Sequence, residues 1–156
     1  RSGHNYPASV TYEPAAVLQN QGNDYVTPMS GTGVEKAFMA VTARVQGETW
    51  AGRYTQTVTI RWRLQYRKNG GSWVNWRSDS YSKSIQSPVL TTRKFAYSVV
   101  RTYEISLPAG TSDRYEFRVL HDGEESDWQG YWGATEKAGT WVRVDEVTIQ
   151  RRFQAL

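Results

Sequence analysis

Aromatic residues crowd into a short glycine-rich segment near the C-terminal end of the chain. Residues 128–133 read Trp-Gln-Gly-Tyr-Trp-Gly and contain Trp128, Tyr131 and Trp132. Large rings bury much surface at little cost in rotamer entropy, so this spacing predicts a platform that stacks on a sugar or docks another protein. The alternative is that Trp128 caps the core and only Tyr131 and Trp132 lie outside. The connection 47–55 adds two further candidate binding residues, Trp50 and Tyr54.

The histidines do not define a catalytic site. His121 continues the alternation of Tyr115, Phe117 and Val119, which would suit a buried base, but no Gly-x-Ser-x-Gly motif accompanies it. A strand-end histidine held by local hydrogen bonds is the simpler interpretation. Carboxylate pairs for glycoside hydrolysis come from distant strands, so spacing singles none out. We therefore predict a protein that is not an enzyme, with no catalytic residue and no cofactor.

The acidic segment 122–127 is the one place where a metal site needs to be considered. Its four carboxylates could gather around calcium, which prefers oxygen ligands, but their spacing does not match an EF-hand loop and the terminal glutamate is missing. A solvated turn is the preferred interpretation, and calcium binding stays open. The carboxylates belong to Asp122, Glu124, Glu125 and Asp127. The chain has no cysteine, which excludes disulfides and thiolate metal sites. We predict no metal.

The elements that must position these residues are strands. In 57–67, apolar residues alternate with polar ones, and Asn69-Gly70-Gly71-Ser72 then reverses the chain into Trp73. This pattern predicts a β-hairpin with one buried face. Shorter patterns predict strands at 37–45, 97–107, 115–121 and 140–150, with a turn at Asp122-Gly123 and a loop or weak edge strand at 78–93. No segment has a 3.6-residue period, so the sequence predicts an all-β fold, an antiparallel β-sandwich.

Length and charge narrow the class of protein further. The chain has 156 residues and suits one domain. We expect an irregular lead-in or linker at 1–33, with a short strand near Val10, then the sandwich at 34–150 and a C-terminal tail at 151–156. Because the sequence begins with Arg1, we expect an excised or processed fragment.

The net charge of +4 is spread along the chain, so we expect no specific nucleic-acid binding. No apolar run approaches the length of a membrane span.

One set of motifs resembles fibronectin type III domains. It comprises Leu107-Pro108-Ala109-Gly110, then 115–119, and finally Gly123 with Ser126-Asp127-Trp128. These look like the E–F corner, F strand and F–G loop of that sandwich, in which a tyrosine turns its hydroxyl back onto the corner. The resemblance implies a fibronectin type III or immunoglobulin-like fold with Tyr115 as the corner residue.

A narrower resemblance covers 34–147. Four parts of the chain follow one another as in the host-specificity, or tip attachment, proteins of lambda-like phage tails. They are the strand that ends near Val45, the long strand with 66–73, the segment 101–108 with 115–119, and the closing 141–147. The resemblance implies a non-enzymatic structural and binding module of a tail tip, located in the virion and assembled in the bacterial cytoplasm. Its implied partners are other chains of the tail, in a homotrimer, and a host receptor or glycan.

Two other classes compete with this interpretation. The excess of Trp and Tyr also suits a carbohydrate-binding β-sandwich module of a bacterial extracellular protein. A small β-sandwich hydrolase is the third alternative, although the sequence offers no recognisable nucleophile or metal set for it.

Overall fold

The period-2 patterns become extended strands that pair antiparallel. The computed structural model describes residues 5–12, 27–29, 34–86, 90–107 and 115–154. These residues form eight strands: β1 (Asn5–Tyr12), β2 (Thr27–Met29), β3 (Val34–Gly52), β4 (Thr55–Lys68), β5 (Val74–Gln86), β6 (Thr92–Ser106), β7 (Tyr115–Asp127) and β8 (Gly130–Gln154). Across these ranges no helix long and apolar enough to cross a membrane is found.

The strands form two sheets whose inner faces make the core. Sheet A has the strand order β1-β8-β3-β6, and sheet B has the order β2-β7-β4-β5. Every pairing is antiparallel. The predicted all-β antiparallel β-sandwich is therefore confirmed. The two strand orders are those of a jelly roll, an eight-stranded sandwich made of two Greek keys.

The position of the last strand, β8, distinguishes this topology from an immunoglobulin-like one. In the immunoglobulin arrangement the final two strands lie in the same sheet. Here β8 follows β7 but lies in the opposite sheet, between β1 and β3. The pairings of β3 with β6, and of β4 with β5 and β7, also occur in immunoglobulin-like sandwiches. The motifs lie on these shared pairings, so they do not specify where β8 goes.

Alternation along β4 sets the register of the core. Val58, Ile60, Trp62 and Leu64 are each at most 1% exposed, and Tyr66 packs against the same cluster. Full burial of a large apolar side chain stabilises the fold by about 1.5–3 kcal/mol. The opposite side of β4 is more exposed to solvent, as predicted. Arg61 is exposed and Arg63 and Arg67 are half-buried, and all three form ion pairs with β7.

The predicted hairpin between β4 and β5 is confirmed. Asn69 and Gly70 have φ values of 52° and 69°, which is the left-handed conformation that an Asn-Gly turn between twisted strands requires. The Gly71 N–H donates to the Lys68 carbonyl at 2.9 Å. Beyond the turn β5 pairs only with β4, so the weak edge strand, one of two alternatives for 78–93, is present in 78–86.

Three strands extend beyond their predicted ends. β3 continues through 46–52, which the sequence suggested was a connection, and β8 begins at Gly130 rather than near Thr140. β7 does not end at Asp122-Gly123: the register shifts there by one residue and the strand continues to Asp127. Gly123 has φ 142°, so it forms a β-bulge inside the strand. The prediction of a solvated turn at 122–127 is therefore wrong, because the bulge lets the strand continue through this segment.

Parts of the expected lead-in and tail also belong to the sheets. β1 contains the short strand expected near Val10 and pairs with β8 from Asn5 opposite Gln154 to Tyr12 opposite Val147. β2 pairs with the start of β7. Because β8 extends to Gln154, residues 151–154 of the expected tail are strand.

Tyr115 occupies a buried position at the start of β7. Its side chain is 1% exposed, and its ring centroid lies 6.3 Å from that of Tyr66. Burial and position agree with a corner tyrosine. Residues 108–114, which include the corner after Leu107, lie outside the described residues, so the bond from the hydroxyl to that corner stays a prediction.

Candidate functional site

The turns β3–β4 and β7–β8 meet at one end of the sandwich. Gly52 pairs in register with Gly130, and the Arg53 N–H donates to the Gln129 carbonyl at 2.9 Å. The predicted binding residues of 47–55 and 128–133 are therefore brought to the same end of the fold. Sequence separation hid this relationship, because it depends on β3 and β8 being neighbours.

A large bulge projects the rings of β8 outward. The register passes from Gly52 opposite Gly130 to Trp50 opposite Thr135, so residues 131–134 lie opposite Ala51 alone. Ala51 and Gly133 have φ values of 60° and 79°. Left-handed backbone costs free energy at a non-glycine residue and persists only where its surroundings hold it. At this bulge the Trp132 side chain is 100% exposed.

Arg53 links the rings of the two turns. Its guanidinium carbon lies 5.6 Å from the Tyr54 ring centroid and 5.2 Å from that of Tyr131. Both distances are within the range of a cation–π contact. Tyr54 is 57% exposed and Tyr131 is 46% exposed. We call Arg53, Tyr54, Tyr131 and Trp132 the aromatic tip.

The other two predicted aromatic residues lie apart from this arrangement. Trp128 is half-buried, and its ring covers Gly130 so closely that a Cβ at that glycine would lie 2.5 Å from the indole. It therefore packs on the turn, and whether it also caps the core stays a prediction. Trp50 is 39% exposed and lies on β3, opposite Thr92 and Thr135 in the neighbouring strands.

His121 does not form a catalytic arrangement. Its Nε2 lies 2.7 Å from the Thr140 Oγ1, while the Thr140 hydroxyl donates to Glu124. Because the hydroxyl proton goes to the carboxylate, the imidazole must be the donor to Thr140. A nucleophile would need the reverse, with the base accepting the hydroxyl proton. These contacts instead link β7 to β8 between the sheets.

The acidic segment pairs with arginines of the neighbouring strand. Asp122 lies 2.7 Å from Arg63, and Glu125 lies 2.9 Å from Arg61. Within the described ranges, no group of three or more side chains could hold a metal ion. The positions of these carboxylates are explained by cross-strand pairing.

The same pairing occupies the basic face of sheet B. Arg67 contacts both carboxylate oxygens of Glu116, at 3.0 and 3.1 Å. The Trp73 ring lies between two guanidinium groups, 4.6 Å from that of Arg67 and 4.1 Å from that of Arg118. Charges held in this way give a diffuse field, so the absence of specific nucleic-acid binding stays the prediction.

A partly buried polar cluster closes the edge of the sandwich between β5 and β6. The Trp62 Nε1 donates to the Tyr103 hydroxyl at 3.2 Å, and that hydroxyl donates to the Asp79 Oδ2 at 2.5 Å. Arg101 lies 2.7 Å from the Asp79 Oδ1. Trp62 belongs to β4, Asp79 to β5, and the other two residues to β6.

Burial and charge shift the pKa values in this cluster. Burial, followed by the hydrogen bond to Asp79, raises the pKa of Tyr103 to about 12. Burial alone would raise the pKa of Asp79, but the hydrogen bonds from Tyr103 and Arg101 outweigh it and hold that pKa below its ordinary value. The cluster keeps Tyr103 neutral and Asp79 charged, which suits a structural contact between the sheets.

Two roles could not be predicted from sequence. Arg53 belongs to no sequence motif. Its position next to Tyr54 in a connection is the one feature of the sequence that could have indicated a contact. Asp79 lies in a Ser-rich segment for which a loop or a weak edge strand was predicted, and its partners Trp62, Arg101 and Tyr103 are distant in sequence.

Comparisons with known proteins give no family. No family model matches the sequence, and no curated protein matches it. Among solved structures, Eiger TNF from S. frugiperda is similar at 10% identity and TM-score 0.37, over 96% of this chain and 95% of that one. An isomalto-dextranase of Arthrobacter globiformis T6, complexed with panose, has 12% identity and TM-score 0.35, over 90% of this chain and 23% of that one. A chain in the structure of infectious bursal disease virus, Gt strain, is similar at 10% identity and TM-score 0.34, over 94% of this chain and 33% of that one. The chain thus spans only a fraction of the last two.

Proposed function

We propose that this chain is a non-enzymatic structural and binding module of a phage tail tip and that it docks through the aromatic tip. The observation that carries the proposal is the bulge at 131–134, which holds Trp132 fully in solvent beside Tyr131. Bulges often re-aim a side chain at a binding site. Strained backbone of this kind clusters at sites that hold a ligand or partner.

The composition of the aromatic tip supports docking. Tyrosine, tryptophan and arginine are the residues most enriched at the energetic centres of protein interfaces. Arg53 holds Tyr54 and Tyr131 together before any partner arrives. Pre-arranged side chains lose less conformational entropy on association, so the contact forms at lower cost.

The tail-tip setting rests on the ordered motifs of 34–147. In that setting the aromatic tip contacts a neighbouring chain of the tail, in a homotrimeric parent protein, or a receptor or glycan on the host surface. The module is then part of the virion.

The test uses the phage whose genome encodes the chain. Antibodies against the 156-residue chain are expected to label purified virions at the tail tip. Virions that carry Trp132→Ala are expected to adsorb to host cells more slowly or to lack the protein. Val100→Ala is the matched control, because Val100 is also exposed, at 66%, but lies outside the aromatic tip. Unlabelled virions would refute the setting, and equal behaviour of the two variants would refute the docking surface.

A carbohydrate-binding module is the second candidate function. It is favoured by a surface groove next to Trp50 on the outer face of sheet A. In this case the isolated chain binds glycans, and its tryptophan fluorescence shifts on titration. A chain that only docks in a tail associates with its neighbours and shows no such shift.

A further inference from the structure

A groove crosses the outer face of sheet A close to the aromatic tip. Its volume is about 660 Å³, and its lining residues come from β3, β6 and β8: Gln46, Gly47, Glu48, Lys94, Phe95, Ala96, Lys137 and Ala138. Side chains alternate along a strand, and Val45 is buried in the core, so Gln46 and Glu48 face outward. The pairing register puts Ala96 beside Gln46, and both lysines beside Glu48, on the same outer face.

The groove has the dimensions of a small-molecule site. Pockets for such ligands measure about 300–1,000 Å³. A folded partner would need a much larger contact area than this groove offers.

Charge across the groove favours an anion. Lys94 and Lys137 lie in register on either side of Glu48. The Lys94 Nζ is 4.0 Å from the Glu48 Oε1, and in the part of the chain that the structure describes Lys137 has no ion-pair partner. One carboxylate can neutralise only one of two ammonium groups, so one positive charge remains. Both lysines are exposed, and their flexible stems can carry the ammonium group to a ligand.

The remaining groups suit a sugar. Gln46 lies across β8, because a Cβ at Gly139 would be 3.0 Å from the Gln46 Nε2. Its amide offers both donors and an acceptor, which hydroxyl groups need. Trp50 lies two residues beyond Glu48 on the same face of β3 and keeps an exposed ring. A ring of this kind covers the apolar C–H face of a pyranose.

We propose that the groove binds a carboxylated oligosaccharide, with the carboxylate at Lys137, hydroxyls at Gln46 and the apolar face of a further sugar unit on Trp50, which lies next to the groove. The site rests on and deepens the second candidate function, carbohydrate binding, and it does not depend on docking through the aromatic tip. A uronic acid and a sialic acid both supply this chemistry, so the ligand is defined by its ring and carboxylate.

Calorimetry on the 156-residue chain tests the proposal with trigalacturonate, sialyllactose and, as the neutral control, galactotriose. Binding of either acidic sugar is expected, about tenfold or more tighter than that of galactotriose, because a hydrogen bond to a charged group is worth more than one between neutral groups. Affinity should also fall as salt rises.

Variants assign the binding to the groove. Lys137→Gln and Trp50→Ala are each expected to weaken acidic-sugar binding about tenfold. Lys36→Gln is the matched control on the same strand, since Lys36 pairs with Glu104 at 3.1 Å. Trp132→Ala should leave sugar binding unchanged even if it abolishes docking of the aromatic tip. Binding of neither acid, equal binding of galactotriose, or full affinity in Lys137→Gln overturns the proposal.

Discussion

The guanidinium carbon of Arg53 lies 5.2 Å from the ring centroid of Tyr131, which joins the β3–β4 turn to the start of β8. The same group lies 5.6 Å from the Tyr54 ring. Two turns that are distant in sequence therefore present one surface. Strand pairing holds the backbone of this surface in place, so the exposed side chains of the aromatic tip can be substituted without destabilising the core.

Two tryptophans of one segment are expected to respond oppositely to substitution. Trp132→Ala should change the free energy of unfolding by less than about 0.5 kcal/mol, because the side chain is fully exposed. Trp128→Ala should cost at least about 2 kcal/mol, because its ring is half-buried and packs on Gly130. Urea unfolding of both variants measures the difference. Equal costs would contradict the separation of a packing residue from a binding residue.

Removal of one buried hydroxyl should weaken the edge between β5 and β6. Tyr103→Phe leaves the Trp62 Nε1 without an acceptor and removes the Tyr103 donor from the Asp79 Oδ2, so we expect a loss of about 1–3 kcal/mol. Tyr97→Phe is the matched control, since Tyr97 is 43% exposed on the same strand. Chemical denaturation of both proteins checks this. A loss no larger than that of the control would show that the cluster adds nothing to stability.

The same hydroxyl predicts how stability depends on alkaline pH. The pKa of Tyr103 rises from 10.0 to about 12 on folding, so its contribution to stability is fully present below pH 10. That contribution is lost as the pH rises through the folded-state pKa. Between pH 10 and about 12 the free energy of unfolding should therefore fall more steeply in the wild type than in Tyr103→Phe. Parallel profiles would contradict the raised pKa.

Two ion pairs on sheet B should differ in strength. Arg67 contacts both oxygens of Glu116, whose side chain is 16% exposed, whereas Glu125 is 59% exposed in its pair with Arg61. We expect Glu116→Gln to cost about 1 kcal/mol and Glu125→Gln less than about 0.5 kcal/mol. Thermal unfolding at low and high salt measures both. A larger loss for Glu125→Gln would reverse the ranking.

The sequence predicted those parts of the fold that depend on local pattern. Alternation identified β4 and its buried face, and Asn69-Gly70 identified the turn. The ends of strands were predicted less well because glycine was taken to break them. Gly47 and Gly123 both lie within strands. Position 47 requires glycine because a Cβ there would come within 2.4 Å of the Phe95 ring, and position 123 favours glycine because its φ is positive at a bulge. Glycine in a strand marks a close approach or a bulge as often as an end.

The candidate site was predicted in composition but not in arrangement. Trp132, Tyr131 and Tyr54 were identified as binding residues, and the first two are exposed side by side. Their link through Arg53 depends on the pairing of β3 with β8, which is non-local. The fibronectin-like motifs do not specify the neighbours of the last strand, so sequence reasoning could not find this contact or the groove beside Trp50.

Cryo-electron microscopy of the virion that encodes this chain tests the central proposal most directly. The account predicts density for the sandwich at the tail tip, with Tyr54, Tyr131 and Trp132 buried against a neighbouring chain or presented to the host surface. A sandwich absent from the virion, or one fixed in it through other faces with these three side chains turned away from partner and host alike, would contradict the account.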